Sequence, residues 1–399
     1  MRRRRREERK QAADSGPERS PEIPQASPTE AAEQAKQAEG KPDRGAQEDR
    51  RTRGEQVEAG AAGHGAEPRG KRSENGEATY LIAIAEALWE EMERDERVFL
   101  LGEDIGVYGG AFKVTEGFID RFGPERVMDT PIAEETIVGT SIGAAMEGLR
   151  PVAEFQYADF MTSGFDELVT TAGKYHYRSG VPLPIVFRGP SGGGVRASAF
   201  HSNNPEPFFA HTPGLKVVCP AFPTDAKGLL KAAIRDDNPV VYLEHKWIYR
   251  RIREVVPTDP DFTVPLGKAE VKREGDDVSI VSYGAMVHKA LEAAEELQDA
   301  GISAEVIDLR TVWPLDKDAV LQSVEKTSRA LVVYESHRAF GIGSEVSAVI
   351  AEEGFEMLDA PIMRVAPPNV PVPFSPPLED AYIPQVEDIT DAVQRLSKW

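Results

Sequence analysis

Asp129-Thr-Pro-Ile-Ala-Glu134-Glu135-Thr-Ile-Val-Gly139 starts a helix. Pro131 suits the entry, because the N–H it lacks is one that a first helical turn leaves unused. An apolar, glycine-containing run follows. Gly139 and Gly143 fall four residues apart, on one face, where another backbone can pack closely. Glu134 therefore sits in the first turn, where the macrodipole favours an acid for purely structural reasons. Partial burial there would disfavour the charged form and raise the pKa. A proton-sharing carboxylate beside an apolar cleft is a candidate for cofactor chemistry. This stretch alone leaves both readings open.

Working outward, the pattern becomes regular. Leu81, Ala85, Leu88 and Met92 line one helical face, with Glu90, Glu91 and Glu93 expected outside it. Val98-Phe-Leu-Leu101 reads as a buried strand leading into Gly102-Glu-Asp104. Downstream come a strand at 151–155, a helix at 160–175, a strand at 184–187, the loop Ser191-Gly-Gly-Gly194 and a strand–helix–strand unit over 215–243. Residues 250–268 hold three prolines and little periodicity, as a linker would. Alternation then resumes: a strand at 278–282, a helix at 286–300 closed by Gly301, a strand at 304–309, a helix at 316–327 and a strand at 330–334. A last helix at 344–353 precedes an irregular Pro-rich tail.

Continuous apolar strands alternating with amphipathic helices predict parallel sheets covered on both faces. The fold class is α/β, with two parallel-sheet domains over 77–255 and 268–399 and a linker at 256–267. Ligands of such sheets sit beyond the carboxyl ends of the strands, where Phe160, Arg188 and the Gly192 loop could line one cleft.

Residues 1–76 differ from the rest. They hold no Phe, Trp or Tyr and are expected to be disordered, since they cannot bury enough apolar surface to offset ordering entropy. Five arginines at 2–6 are followed at once by acids, unlike a transit peptide. A solvated mixed-charge extension is the reading, with a misassigned start as the alternative. The extension carries a net charge of +2 and the remainder −22, within the total of −20. So acidic a body argues against general nucleic-acid binding, which neutralises phosphates, and suits a basic protein partner. No apolar run is long enough to span a membrane. The single cysteine, Cys219, excludes an internal disulfide and reads as a buried small hydrophobe, which fits a reducing cytoplasm.

With these residues in order, the chain resembles the beta subunit of the thiamine-diphosphate-dependent first component of 2-oxo acid dehydrogenase complexes, a transketolase-like family. Pyruvate, branched-chain 2-oxo acid and acetoin dehydrogenases belong to it. The likeness runs over 78–399 through Leu101-Gly-Glu-Asp104, Asp129-Thr-Pro-Ile-Ala-Glu134, Gly148-Leu-Arg-Pro151, Glu154-Phe-Gln-Tyr-Ala-Asp-Phe160 and Pro184-Ile-Val-Phe-Arg-Gly-Pro190. It continues through His201-Ser202, Pro213-Gly-Leu-Lys-Val-Val218, Asp225-Ala-Lys-Gly228, Asp236-Asp-Asn-Pro239, Ile307-Asp-Leu-Arg310 and Trp313-Pro-Leu315. The extension is outside the pattern.

The resemblance implies an alpha2beta2 heterotetramer. Thiamine diphosphate lies between chains, and the alpha subunit holds the diphosphate and its Mg2+. The diphosphate motif is missing here, which disfavours a single-chain transketolase-like enzyme. The implied activity is oxidative decarboxylation of a 2-oxo acid, pyruvate first, with reductive acylation of lipoyl groups on a separate acyltransferase. An acetoin dehydrogenase beta subunit is the alternative.

By the same resemblance, Glu134 bonds the aminopyrimidine and shares its proton, the protein tuning the acid–base state of its cofactor. Glu135, one residue round the helix, points away. Phe160 stacks on the pyrimidine or is an ordinary core Phe, and Tyr157 is a weaker candidate of the same kind. His201 is the implied active-site histidine, positioning substrate or supplying a proton. His211 is the bland one, and Arg188 holds the loop by carboxylate pairing. A potassium ion is implied on the carbonyls of Ile185, Ala233 and Ile234 with Asp236 and Asn238; the same residues would also make a plain helix end and turn.

Overall fold

The computed structural model describes residues 72–399. The extension therefore lies outside the described residues, except for its last five, in which Arg72 donates from Nε and Nη2 to the two carboxylate oxygens of Glu86 at 2.7 and 2.6 Å.

Two sheets organise the chain. The larger runs, edge to edge, Thr311–Trp313, Lys216–Val218, Val240–His245, Val186–Ser191, Arg150–Glu154, Val98–Gly102 and Val127–Asp129. Its strands are parallel except Thr311–Trp313, which adds antiparallel to Lys216–Val218. The smaller runs Met363–Val365, Ala330–Val333, Val278–Ser282, Ala304–Asp308 and Glu270–Arg273, the last antiparallel. Central strands such as Val98–Gly102, Val240–His245 and Val278–Ser282 are buried along their whole length, as helices on both faces require. The second half of the chain thus lends a strand to the first sheet. A short antiparallel pair, Glu77–Thr79 with Arg253–Val255, ties the start of the described chain to the segment before the linker.

Burial of charge explains one difference from the periodic reading. Glu91 is fully buried rather than outside the helix Tyr80–Arg94. Arg235 and Arg94 both pair with it, at 2.6 and 2.8 Å. The partner helix Pro223–Arg235 also buries Lys227 and Lys231. Lys227 donates to Glu90 and Glu86 and to the Pro257 carbonyl, and Lys231 to Glu90 and the Pro260 carbonyl. Buried ammoniums need such partners, and here they also pin the proline segment.

Two other expectations change. The helix at 160–175 is broken into the 3-10 turn Ala158–Gly164, the π turn Glu167–Ala172 and the helix Gly173–Ser179. The first of these turns packs closely: a Cβ on Gly164 would stand 2.6 Å from Val138 Cγ2 on the helix Glu134–Met146. The tail is not irregular throughout. It holds Pro376–Tyr382 and Val386–Leu396, the latter opened by a capping box between Gln385 and Asp388 and burying Ile389, Ala392, Val393 and Leu396 at helical spacing.

At the carboxyl ends of three adjacent strands, Arg188 lies fully buried between two acids. Its Nε and Nη2 donate to Glu244 at 2.6 and 2.8 Å, and its Nη1 donates to Glu154. Tyr249 donates its hydroxyl to Glu244 at 2.6 Å. Burial alone would lower the Arg188 pKa, but the two carboxylates outweigh it and raise the value. Removing the guanidinium leaves two buried carboxylates unpaired, so Arg188→Met should destabilise the protein by about 3–5 kcal/mol in denaturant unfolding. Arg188→Lys should recover only part of this, because an ammonium cannot bridge both acids in the same plane.

Candidate active site

Acids collect at the carboxyl end of the larger sheet. Gly102 closes its strand because a Cβ there would meet the Glu154 carbonyl oxygen at 2.5 Å. Glu103 and Asp104 follow it. Asp129 ends the edge strand, and its Oδ1 accepts from the Gly106 N–H at 2.6 Å. Glu134 is the first residue of the helix Glu134–Met146 and is half-buried, while Glu135 is exposed. Ala133 gives the helix no side-chain cap, so the first turn keeps its free N–H groups and positive field. A Cβ added at Gly139 or Gly143 would meet no neighbouring atom within 4 Å among the described residues.

Glu103 is the acid that sequence reasoning quoted but did not assign. It is buried, and its Oε1 has no hydrogen-bond partner. Burial raises its pKa first, the Glu134 carboxylate next and Asp104 after that. Its position one residue past a buried strand was the available signal, since ligands of parallel sheets sit there.

The 3-10 turn Ala158–Gly164 packs on the Glu134 helix and carries Phe160 beside Tyr157, the two rings edge-on at 5.7 Å. His201 sits edge-on to both, 4.4 Å from Tyr157 and 5.4 Å from Phe160. All three are half-buried, unlike ordinary core rings. The structure thus gathers Tyr157, Phe160 and His201 into one cluster. Arg188 lies beneath the surface as a strut, and His211 is an exposed residue capping the helix Glu206–Ala210.

The segment carrying His201 is held by carboxylates from distant parts of the chain. Glu335 accepts from the Gly193 N–H at 2.6 Å and from Asn204, and pairs with His245 at 2.9 Å. Burial would push the Glu335 pKa up, but His245 and these donors bring it to about 2. Glu379 accepts from Gly194 N–H and from Arg196, and Asp159 accepts from the Asn203 N–H and side-chain amide. Gly192 has φ +79, and a Cβ there would collide with the His245 ring, so the turn out of the strand demands glycine.

The implied potassium ligands lie together at the other end of the sheet and already share donors. The carbonyls of Ile185, Ala233 and Ile234 accept from Val240 N, Asp236 N and Arg150. Asp236 pairs with Lys216 and accepts from Asn238, whose Oδ1 meets His176 Nδ1 at 2.7 Å.

Known proteins are similar along most of the chain. Residues 77–252 match the transketolase pyrimidine-binding domain and 267–389 the transketolase C-terminal domain. The 2-oxoisovalerate dehydrogenase subunit beta of Bacillus subtilis is 50% identical over 80% of this chain and 99% of its own. The pyruvate dehydrogenase E1 component subunit beta of Staphylococcus epidermidis is 48% identical over 78% and 96%. Among solved structures, a split-gene transketolase described as an inactive beta4 tetramer superposes with a TM-score of 0.67 at 26% identity, covering 80% of this chain and 98% of that one.

Behind the His201 segment, Glu206 accepts from the Tyr283 hydroxyl at 2.6 Å, and burial pushes its pKa up to about 7. A carboxyl raised above its unfolded value loses its proton first in the unfolded state, so stability falls as pH climbs from the unfolded value to about 7. Glu206→Gln keeps the acceptor for Tyr283 and should remove this decline. The variant should match wild type near pH 4 and exceed it by on the order of 2 kcal/mol at pH 8 in denaturant titrations.

Proposed function

Since the chain belongs to the family of thiamine-diphosphate-dependent, transketolase-like beta subunits of the 2-oxo acid dehydrogenase first component, we propose that it forms the pyrimidine half of a shared active site. Its alpha partner holds the diphosphate and Mg2+. The reaction is oxidative decarboxylation of a 2-oxo acid with reductive acylation of a lipoyl group on a separate acyltransferase, the lipoyl disulfide taking up the two electrons. The observation that carries this is Glu134, half-buried in the first turn of a helix that packs on the aromatic segment bearing Phe160 and Tyr157.

The residues present fit such a group. Glu103 has an orphaned, buried carboxyl oxygen beside the Glu134 charge, and the half-buried rings offer faces to a flat heteroaromatic. When bound, thiamine diphosphate supplies the nucleophilic carbon and the electron sink. Glu134 would hold the aminopyrimidine and share a proton with its ring nitrogen. Phe160, with Tyr157 beside it, would pack against the ring. His201 would orient the substrate carboxylate or the acyl group and hold a proton for transfer, as imidazole can near neutral pH. Glu103 lies close to Glu134, and burial together with the Glu134 charge disfavours its ionised form.

Pyruvate is the first substrate reading. The 50% identity to a 2-oxoisovalerate dehydrogenase subunit supports branched-chain 2-oxo acids as the second. The acidic body suits a basic docking segment on the acyltransferase, and the lone buried cysteine suits a reducing cytoplasm. We further propose that K+ binds at Ile185, Ala233, Ile234, Asp236 and Asn238, using the second lone pairs of carbonyls that each accept one bond.

Glu134→Gln, reconstituted with the alpha subunit, should lose about 10²–10⁴-fold in decarboxylation with an artificial electron acceptor; full activity would end the assigned role. The isolated chain should be inactive on pyruvate, branched 2-oxo acids and acetoin, and the reconstituted pair should turn over one of the 2-oxo acids fastest. Replacing K+ by tetramethylammonium should lower the thermal midpoint, as loss of a bound ligand does; an unchanged midpoint would leave the site as a plain helix end.

A further inference from the structure

Lys246 follows the strand Val240–His245, and its backbone N–H donates to the Ser191 carbonyl at 3.1 Å, at the root of the His201 segment. The residue is buried, and its Nζ has no hydrogen-bond partner. An unpaired buried ammonium is expensive, so its retention asks for a reason. Three observations supply one. Its attractive neighbours are Asp159, Glu335 and Glu379, the three acids that hold the segment at Asn203, Gly193 and Gly194. The Nζ lies 5.7 Å from the centre of the Tyr157 ring, which meets His201 at 4.4 Å. Asp159 Oδ2 is likewise buried and unpartnered, while its Oδ1 holds Asn203.

We propose that Lys246 is a positioning residue for His201: its buried cation draws in Asp159, Glu335 and Glu379, the anchors of residues 192–204, and it steadies the Tyr157 ring against which the imidazole rests. The physical basis is charge complementarity: a buried cation attracts the carboxylates that hold the segment. Charge-assisted bonds are roughly twice as strong as neutral ones. Burial lowers the Lys246 pKa to about 8, with the three acids opposing the fall, so the cation is present at neutral pH. This proposal rests on the catalytic reading of His201, and its test keeps the two apart.

The experiment uses the assembled alpha/beta enzyme with Lys246→Met, Lys246→Arg and His201→Ala. Lys246→Met should still unfold as one cooperative unit, because the Nζ it removes has no hydrogen bond to lose. Amide hydrogen exchange over 192–204 should nevertheless quicken about tenfold in Lys246→Met and return toward wild type in Lys246→Arg. Acyl transfer to a lipoyl domain should fall about 10–100-fold in Lys246→Met, through misplacement of His201. Unchanged exchange in Lys246→Met would overturn the proposal, as would a lowered midpoint with uniformly faster exchange across the whole chain. Normal transfer in His201→Ala would instead overturn the role of the histidine, and the exchange result would still decide Lys246.

Discussion

A guanidinium held between carboxylates on two neighbouring strands sets the geometry of the rest. Arg188 joins Glu154 to Glu244 at the carboxyl ends of the central strands, and it does so with almost no solvent contact. A planar fork with fixed donor directions constrains the angle and spacing of the strands it bridges more tightly than a point charge would. The glycines nearby obey the same constraint. Gly102 lies against the Glu154 backbone, and a Cβ on Gly110 would stand 2.9 Å from the Glu154 carboxylate. The triad is a floor: Tyr157 and Phe160 are on the segment that leaves Glu154, and Glu103 and Glu134 follow the two strands next to it in the sheet.

Above that floor the organisation is electrostatic at longer range in sequence. The segment carrying His201 has little apolar anchoring of its own. It is tied by Asp159 from one half of the chain and by Glu335, Glu379 and Asp380 from the other. The strand Thr311–Trp313, added to the larger sheet from the second half, holds the two sheets in one body. The smaller sheet therefore has a direct role at the site: it presents the carboxylates that shape the His201 segment. Among the described residues no helix is long and apolar enough to cross a membrane.

Part of this was legible in the residues and part was not. The apolar strands, Gly301 with φ +79 closing its helix and the start of the Glu134 helix were readable, because each depends on near neighbours. The helix expected at 160–175 is broken into three short pieces, and the close approach of Gly164 to Val138 is a contact between segments that local periodicity cannot register. The helix Val386–Leu396 was hidden by the prolines before it, although its apolar spacing was present. Glu91 was read as outward because its neutralising arginine lies on another helix.

What the sequence determined by itself is the α/β alternation, the family and the acid at the head of one helix, since these are written in local pattern and in motif order. Tertiary structure alone decided which charges are buried and with whom: Arg188 with Glu154 and Glu244, Glu103 beside Glu134, and Lys246 among the acids that hold the His201 segment. The reason is physical. The free energy of a charge depends on its desolvation and on its distance from other charges, and both quantities exist only once strands far apart in the chain have been brought side by side.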